Sequence, residues 1–212
     1  MKTLKYSQDT LVQIIQILKS GGVIAHPADT CYGLAADFKN PAAIEKVRKI
    51  KGRDGKNPMS IMLPAYMKDD IVRFAKMDDF AKEVCEKMLP GPVTVLLPKR
   101  DDFPADYYPG TTRIGIRIPY DTITQDILTA FKGPLITTSA NLSGLPACRT
   151  SDEAIESLSG SDTEPDLMIE GAIKGECQPS TIIYVLDGTV RIERVGPMTK
   201  KEIEGILGVT VS

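Results

Sequence analysis

Short apolar runs alternate with amphipathic helical patterns along most of the chain, and this alternation constrains the fold more than any other feature. Each apolar run is only a few residues long, which suits a buried strand and is too short to cross a bilayer. Glycine and proline clusters such as Gly21-Gly22 and Pro90-Gly91-Pro92 separate the segments. The pattern indicates the α/β class with a mixed β-sheet. A length of 212 residues is compatible with one domain, so we expect residues 1–212 to form a single unit.

The individual segments can be placed from periodicity, caps and turn residues. Strands are predicted at residues 23–26, 59–63, 93–97, 113–118, 134–138, 180–186 and 189–194, with Asp187-Gly188 as the turn of a final hairpin. Helices are predicted at residues 11–18, 41–50, 69–75, 78–89, 121–131 and 200–207, with a further short helix that begins at a Thr150/Glu153 capping box. Loops are predicted at residues 27–34, 101–112 and 157–166.

Composition narrows the possible functions. A net charge of -2 and a pI near 5.6 disfavour a general nucleic-acid coat, which needs a broad basic face. The charged N-terminus lacks the apolar stretch of a signal peptide, so we expect a cytoplasmic protein. The four cysteines are scattered and form no CxxC pair, which indicates neither a zinc site nor a disulfide framework. The only histidine, His26, is interpreted as a strand residue with satisfied hydrogen bonds rather than as a catalytic base.

A local excess of positive charge stands out in this slightly acidic chain. Residues 46–56 contain six lysines and arginines, with Asp54 as the only acid. Asn40-Pro41 predicts the start of a helix, and Gly52 and Gly55 predict its end and the following loop. The helix would therefore deliver cations to a loop just before a strand, where anionic ligands are commonly bound in α/β proteins.

Polar residues recur at the predicted strand ends, although the P-loop, the Rossmann glycine pattern and the nucleophile elbow are all absent from the sequence. The set offers cations with hydroxyl and amide donors, and no carboxylate pair or histidine base. It suits a ligand rich in phosphate and carboxylate oxygens, and phosphoryl or nucleotidyl transfer can proceed by positioning and charge neutralisation. The residues are Thr30, Lys51, Arg53, Arg117, Thr137, Ser139, Asn141, Ser143, Ser180, Thr181 and Arg194.

Seven short motifs, spread from about residue 21 to residue 196, resemble the YrdC/TsaC family of threonylcarbamoyl-AMP synthases in order and spacing. They are PADTCYGLAAD, KGR followed by NP, PGPVT, RIGIRIP, TTSANLSG, STII and ERVG. The resemblance implies an open, twisted α/β sheet around a concave basic pocket. It also implies the formation of threonylcarbamoyl-AMP and pyrophosphate from L-threonine, bicarbonate or CO2, and ATP, for the t6A modification of tRNA. Magnesium is expected with ATP, zinc is not, and further tRNA-modification proteins are expected downstream.

The resemblance also implies roles for individual residues. Lys51 and Arg53 are expected to stabilise charge on the ATP phosphates and to be the catalytic groups. ATP is expected to contact Lys51, Arg53, Asn57, Ser139, Asn141, Ser143 and Arg194. Threonine is expected to contact Thr30, Arg117, Thr137 and Ser180, with Arg117 binding its carboxylate.

Three positions depart from the pattern of the family. Ala28 replaces a frequent threonine, Asp54 a frequent proline and Met62 a frequent histidine. These departures leave open a non-catalytic or altered-specificity paralogue that binds nucleotide or double-stranded RNA. A carbamoyl-adenylate former that uses carbamoyl phosphate is a further alternative, which the stand-alone length disfavours.

Overall fold

A computed structural model of the protein describes residues 1–52, 59–104 and 111–212. Within these ranges the chain forms ten strands, six α-helices and one 3-10 helix, Ala65–Arg73. The strands are β1 (Lys2–Lys5), β2 (Ile24–Pro27), β3 (Tyr32–Asp37), β4 (Ser60–Met62), β5 (Val93–Pro98), β6 (Arg113–Arg117), β7 (Leu135–Ser139), β8 (Leu167–Glu170), β9 (Thr181–Leu186) and β10 (Thr189–Arg194). The helices are α1 (Gln8–Lys19), α2 (Pro41–Ile50), α3 (Asp79–Met88), α4 (Thr122–Phe131), α5 (Ser151–Leu158) and α6 (Lys200–Leu207).

All ten strands of the described chain join one open, twisted sheet in the order β1-β8-β2-β3-β7-β4-β6-β5-β9-β10. The pairs β1/β8, β2/β8, β4/β6 and β5/β9 are parallel, and the remaining neighbours are antiparallel. The sheet is therefore mixed, and the predicted α/β class is confirmed.

The two faces of the sheet bury different cores, because successive strand residues point to opposite sides. In β3, Leu34 and Ala36 join the larger core with α2, α3, α5 and α6, whereas Ala35 faces the smaller core with α1 and α4. The smaller core draws on β2, β3, β4, β7 and β8, so α1 and α4 cover only part of their face. The uncovered part of that face carries polar side chains, and the cavity described below lies there.

Most predicted segments are confirmed. Ser7, Asn40, Asp78, Asp121 and Thr150 are the N-caps of α1 to α5, and each side chain accepts a backbone N–H of the first turn. Helix α6 has the predicted bounds. The final hairpin forms as predicted, with Asp187 and Gly188 at positive φ, 47° and 71°.

Several sequence predictions were wrong in detail. Residues 27–34 are not all loop, because β3 begins at Tyr32 and pairs with both β2 and β7. The short strands β1 and β8 were not predicted; they pair with each other. Helix α5 extends to Leu158, into the predicted loop. The helix predicted at 69–75 is instead a 3-10 helix that begins earlier, at Ala65, and ends at Arg73. The Glu153 carboxylate accepts from the Arg149 backbone, at 2.7 Å, so the predicted capping box is only half formed.

Candidate active site

A polar cavity of about 170 Å³ lies on the sheet face that α1 and α4 leave uncovered. Its wall combines hydroxyl groups, two arginines and a few small or apolar side chains. These side chains come from β3, β4, β5, β6, β7, β9 and β10 and from the segments that precede β3 and β9. Thr30, Arg117, Thr137, Ser139, Ser180 and Arg194, all predicted from the sequence, line it together. The structure therefore brings six predicted site residues into one cavity.

Arg117, the last residue of β6, is fixed by two partners in the segment before β3. One guanidinium nitrogen forms an ion pair with the Asp29 carboxylate and donates to the Thr30 hydroxyl at 2.7 Å. The Asp29 side chain is fully buried, and burial raises its pKa although the neighbouring Arg117 charge opposes the rise. The Arg117 Nε is buried without a hydrogen-bond partner among the described residues, so the groups that can meet a planar anion such as a carboxylate are those at the cavity end of the guanidinium.

Arg194, the last residue of β10, occupies another part of the cavity wall. Its guanidinium donates to the Ser180 carbonyl at 2.8 and 3.1 Å and to the Ser180 hydroxyl at 3.2 Å. The Ser180 hydroxyl also bonds the Thr94 hydroxyl at 2.8 Å. Burial lowers the pKa of Arg194, and the nearby Arg117 charge lowers it further. The two arginines therefore repel each other slightly, which favours an anion between them.

Small residues keep the floor of the cavity open. A Cβ on Gly33 would lie 3.6 Å from both His26 Nε2 and Thr137 Oγ1. His26 is buried beside Gly33, its partner in the β2/β3 pair, and its Nδ1 lies 3.1 Å from the Pro27 carbonyl. Its Nε2 has no hydrogen-bond partner among the described residues, so the prediction of a fully satisfied histidine was wrong. Burial lowers the pKa of His26 to about 4, which keeps the ring neutral.

Lys51 follows α2 and is fully buried, beside the turn that follows β7. Its ammonium donates to the Ser139 carbonyl at 2.6 Å, to the Asn141 side-chain oxygen at 3.1 Å and to the Ser139 hydroxyl at 3.4 Å. The Asn141 amide donates to the carbonyls of Leu142 and Leu145, at 2.9 and 2.7 Å, which closes the turn. Ser139 also lines the cavity and thereby links it to the lysine.

The remaining predicted residues lie apart from the cavity or outside the described ranges. Ser143 is exposed, and its backbone N–H donates to the Lys51 carbonyl at 3.1 Å. Thr181 is buried, and its hydroxyl donates to the Met198 carbonyl at 2.8 Å, a structural contact. Arg53 and Asn57, predicted at the phosphates, and the variant position Asp54 lie outside the described residues.

Sequence reasoning missed several residues that line the cavity or hold its lining in place. Asp29 was not assigned a role, although it follows Pro27-Ala28 immediately before Thr30. Ser60 and Thr94 were read only as parts of strands. A polar residue inside an otherwise apolar strand, as Thr94 is in β5, was the available signal.

The described residues provide no direct carboxylate ligand at the cavity. Its lining contains no aspartate or glutamate, and the part of the chain that the structure describes contains no cluster of three or more histidine, cysteine or acidic side chains that could hold a metal ion. A divalent cation carried on phosphate oxygens that keeps most of its waters would need few protein ligands.

Fold and cavity together define a class: an open mixed α/β sheet that carries a polar, arginine-lined cavity on one face. The Sua5/YciO/YrdC family model, described as "Telomere recombination", matches residues 16–196. The chain belongs to this family.

Relatives of known name agree with this membership. The threonylcarbamoyl-AMP synthase of Photobacterium profundum is 30% identical over 183 residues, which cover 86% of this chain and 97% of that protein. The mouse threonylcarbamoyl-AMP synthase is 34% identical over 161 residues, 76% of this chain and 55% of the mouse protein. The chain thus matches nearly all of the bacterial relative and about half of the mammalian one.

The fold has a solved counterpart. The structure of P. abyssi Sua5 complexed with L-threonine superposes with a TM-score of 0.86 at 23% identity, and the match covers all of this chain and 61% of that one. No helix in the described part of the chain is both long and apolar enough to cross a membrane.

Proposed function

We propose that this protein is a threonylcarbamoyl-AMP synthase, which forms threonylcarbamoyl-AMP and pyrophosphate from L-threonine, bicarbonate or CO2, and ATP. The observation that carries the proposal is the single cavity that unites Thr30, Arg117, Thr137, Ser180 and Arg194 and touches the Lys51-bound turn. The names of the relatives at 30% and 34% identity support the same activity. The product would serve the t6A modification of tRNA in the cytoplasm, with further modification proteins downstream.

The size of the cavity suggests how two substrates share the site. About 170 Å³ lies below the several hundred Å³ of a typical pocket for a drug-sized molecule. It suits an amino acid, with the Arg117 guanidinium binding the carboxylate and the hydroxyls of Thr30 and Ser180 binding polar groups. ATP would then extend out of the cavity along Ser139, towards Lys51 and Asn141.

The reaction needs close placement more than acid–base chemistry. The threonine amine adds to CO2 and loses a proton, and the resulting carbamate oxygen attacks the α-phosphorus of ATP. The new P–O bond forms as the bond to pyrophosphate breaks. The carbamate is short-lived in water, so a small cavity that holds it against the nucleotide contributes by proximity and by excluding solvent.

Charge stabilisation falls to the cations near the nucleotide. We assign Lys51 and Arg53 to the phosphates, with Asn57, Ser143 and Arg194 as further nucleotide contacts. Magnesium would enter bound to ATP, as part of the substrate, and would neutralise phosphate charge. Because the Lys51 ammonium is already held by Ser139 and Asn141, binding of a phosphate would require it to exchange at least one protein acceptor.

The test is pyrophosphate release from ATP, magnesium and bicarbonate with threonine, with serine or with no amino acid. We expect release that requires threonine, together with incorporation of labelled bicarbonate into an adenylate. Equal release without an amino acid, or none under any condition with normal folding, would overturn the proposal. In the second case, ATP and RNA binding measured at two salt concentrations would identify a non-catalytic paralogue or an RNA-binding protein.

A further inference from the structure

Three of the four cysteines lie near one another although they are far apart in the sequence, and one of them lines the cavity. Cys31 lines the cavity and is buried, and Cys177 is partly buried three residues before Ser180. Cys148 is buried close by, and its carbonyl accepts from the Tyr32 backbone at 2.8 Å. Cys85 belongs to α3 and is packed in the larger core.

The backbone places Cys31 and Cys177 side by side. The Gln178 N–H donates to the Thr30 carbonyl at 3.2 Å, and the two cysteines adjoin these two residues. Their thiols also interact, because each is among the groups that shift the pKa of the other. A disulfide needs Cα atoms within about 7 Å, and a backbone hydrogen bond next to both cysteines, together with thiols that interact, brings the pair together as a disulfide requires.

We propose that Cys31 and Cys177 are a modification site: they form a reversible disulfide in the wall of the cavity, with a low-molecular-weight disulfide such as oxidised glutathione as the oxidant. The Cys177 thiolate attacks one glutathione sulfur and expels one glutathione thiolate. The Cys31 thiolate then attacks the Cys177 sulfur of this mixed disulfide and expels the second glutathione. Two electrons pass from the protein to the oxidant, and the two thiol protons end on the two glutathione molecules.

The surroundings set the order and the speed of these steps. Burial raises the pKa of both thiols, so little thiolate is present at neutral pH and exchange is slow. Cys177 is the more exposed sulfur, and its interaction with Cys31 offsets part of the rise in its pKa. Cys177 is therefore the sulfur that meets the oxidant first, and the exchange accelerates as pH rises.

Disulfide formation alters the site because Cys177 and Ser180 belong to one short segment. A bonded pair of sulfurs is about 2 Å apart, much closer than two sulfurs in van der Waals contact. The bond therefore draws the segment that carries Pro179 and Ser180 towards Cys31 and narrows a cavity of about 170 Å³. This consequence rests on the proposed function only in that threonine is used as the probe of the cavity.

The experiment treats the full chain with oxidised glutathione at mildly alkaline pH, then measures intact mass, free thiols and peptide connectivity. We expect the mass to fall by two hydrogen atoms, two free thiols to disappear and a Cys31–Cys177 cross-linked peptide to appear. Dithiothreitol should reverse all three changes. Cys148→Ser and Cys85→Ser are matched controls that keep the disulfide, whereas Cys31→Ser and Cys177→Ser abolish it. A cross-link through Cys148, or only mixed disulfides with glutathione, would overturn the assignment.

Two further measurements on the same samples are independent of catalysis. The oxidised chain should melt on the order of 10 °C higher, because the bond closes a long loop of the unfolded chain, and Cys31→Ser should show no such shift. Threonine affinity should fall on the order of tenfold on oxidation and recover on reduction. If threonine affinity is unchanged although the disulfide has formed, the inference that the disulfide narrows the cavity is wrong. Failure of the reduced chain to bind threonine would count against the proposed function and leave the disulfide standing.

Discussion

Arg117, which lines the cavity, forms an ion pair with Asp29 behind it, and the same guanidinium nitrogen donates to the Thr30 hydroxyl. The acid is fully buried, whereas 12% of the Arg117 side chain is exposed. The arginine is thus anchored from behind and open towards the cavity. The orientation of the Arg117 guanidinium is set by the segment before β3, which the sequence predicted to be a loop at the ligand site.

Asp29→Asn should weaken threonine binding. The substitution keeps the shape of the anchor but replaces a charge-assisted bond with a neutral one, a loss of about 1–2 kcal/mol. We expect the KM for threonine to rise about tenfold with a smaller change in kcat. Asp126→Asn, which removes the charged partner of Tyr6 far from the cavity, is the matched control. A lower KM in Asp29→Asn would show instead that the acid competes with the substrate carboxylate.

Lys51→Met should show how much the buried Lys51 ammonium contributes to pyrophosphate release, as distinct from the other lysines at the end of α2. Methionine keeps most of the buried stem but removes the ammonium, so the loss of pyrophosphate release should be on the order of 100-fold, about 3 kcal/mol of barrier. The unbonded Ser139 carbonyl and Asn141 oxygen should also lower the free energy of unfolding, by about 1–3 kcal/mol. Lys49→Met changes an exposed lysine two residues earlier and should leave both quantities unchanged. Near-normal turnover in Lys51→Met, measured on protein shown to be folded, would refute its assignment to the phosphates.

Two glycines on the same face of the sheet should respond differently to alanine. A Cβ on Gly115 would lie 3.0 Å from the Ser60 hydroxyl and 3.1 Å from the Thr94 methyl, so Gly115→Ala should lower the free energy of unfolding by about 1–3 kcal/mol. A Cβ on Gly33 meets only ordinary contacts at 3.6 Å, but it adds a methyl group to the cavity. Gly33→Ala should therefore keep its stability and lose threonine affinity. Urea unfolding and calorimetric titration measure the two effects, and the opposite ranking would contradict this geometry.

His26 should make the protein less stable in mild acid. Burial lowers its pKa to about 4, and the nearby Arg117 charge adds to this, while the Pro27 carbonyl and Asp29 oppose it. Between the unfolded value of about 6.5 and the folded value, the unfolded chain binds a proton that the folded chain refuses. The stabilisation is fully present above pH ~6.5, and about 2 kcal/mol of it should be lost by pH ~5.

His26→Gln is the variant that isolates this contribution. Burial raises the pKa of Asp29 and of Asp121, and a carboxyl group of this kind stabilises the fold as pH falls, opposite to His26. The informative quantity is therefore the difference between wild type and His26→Gln in urea unfolding at pH ~7.5 and ~5. We expect the wild type to lose about 2 kcal/mol more than the variant. Equal losses would show that the ring is protonated in the folded protein.

The sequence predicted the local parts of this structure better than the long-range ones. Caps such as Asn40 and Asp121 and the Asp187-Gly188 turn depend on neighbouring residues, and they were found. β1 and β8 are four residues each and are stabilised by pairing with strands far along the chain, so local patterns did not mark them. The start of β3 was not predicted for the same reason, since this strand is defined by its pairing with β2 and β7.

In the candidate site, too, the sequence predicted local features better than long-range contacts. Arg117 and Thr137 could be selected as polar residues on predicted strands, and the resemblance to a family gave them roles that remain predictions. Asp29 was missed because its importance lies in a partner on β6, which only the fold brings near. The proximity of Cys31 and Cys177, far apart in sequence, was missed because no spacing rule connects them.

The register of the last hairpin shifts between Ile192 and Arg194, so that Ile192 pairs with Ile183 and Arg194 with Ile182. Side chains alternate strictly along a strand, and one irregular step therefore decides to which side an arginine two residues later is directed. In a regular register Glu193 would lie opposite Ile182, and Arg194 would lie on the same side of the sheet as Ile192, away from Ser180. The extra residue in β10 thereby gives a strand whose Ile192 packs on the larger core an arginine on the opposite face, at the cavity.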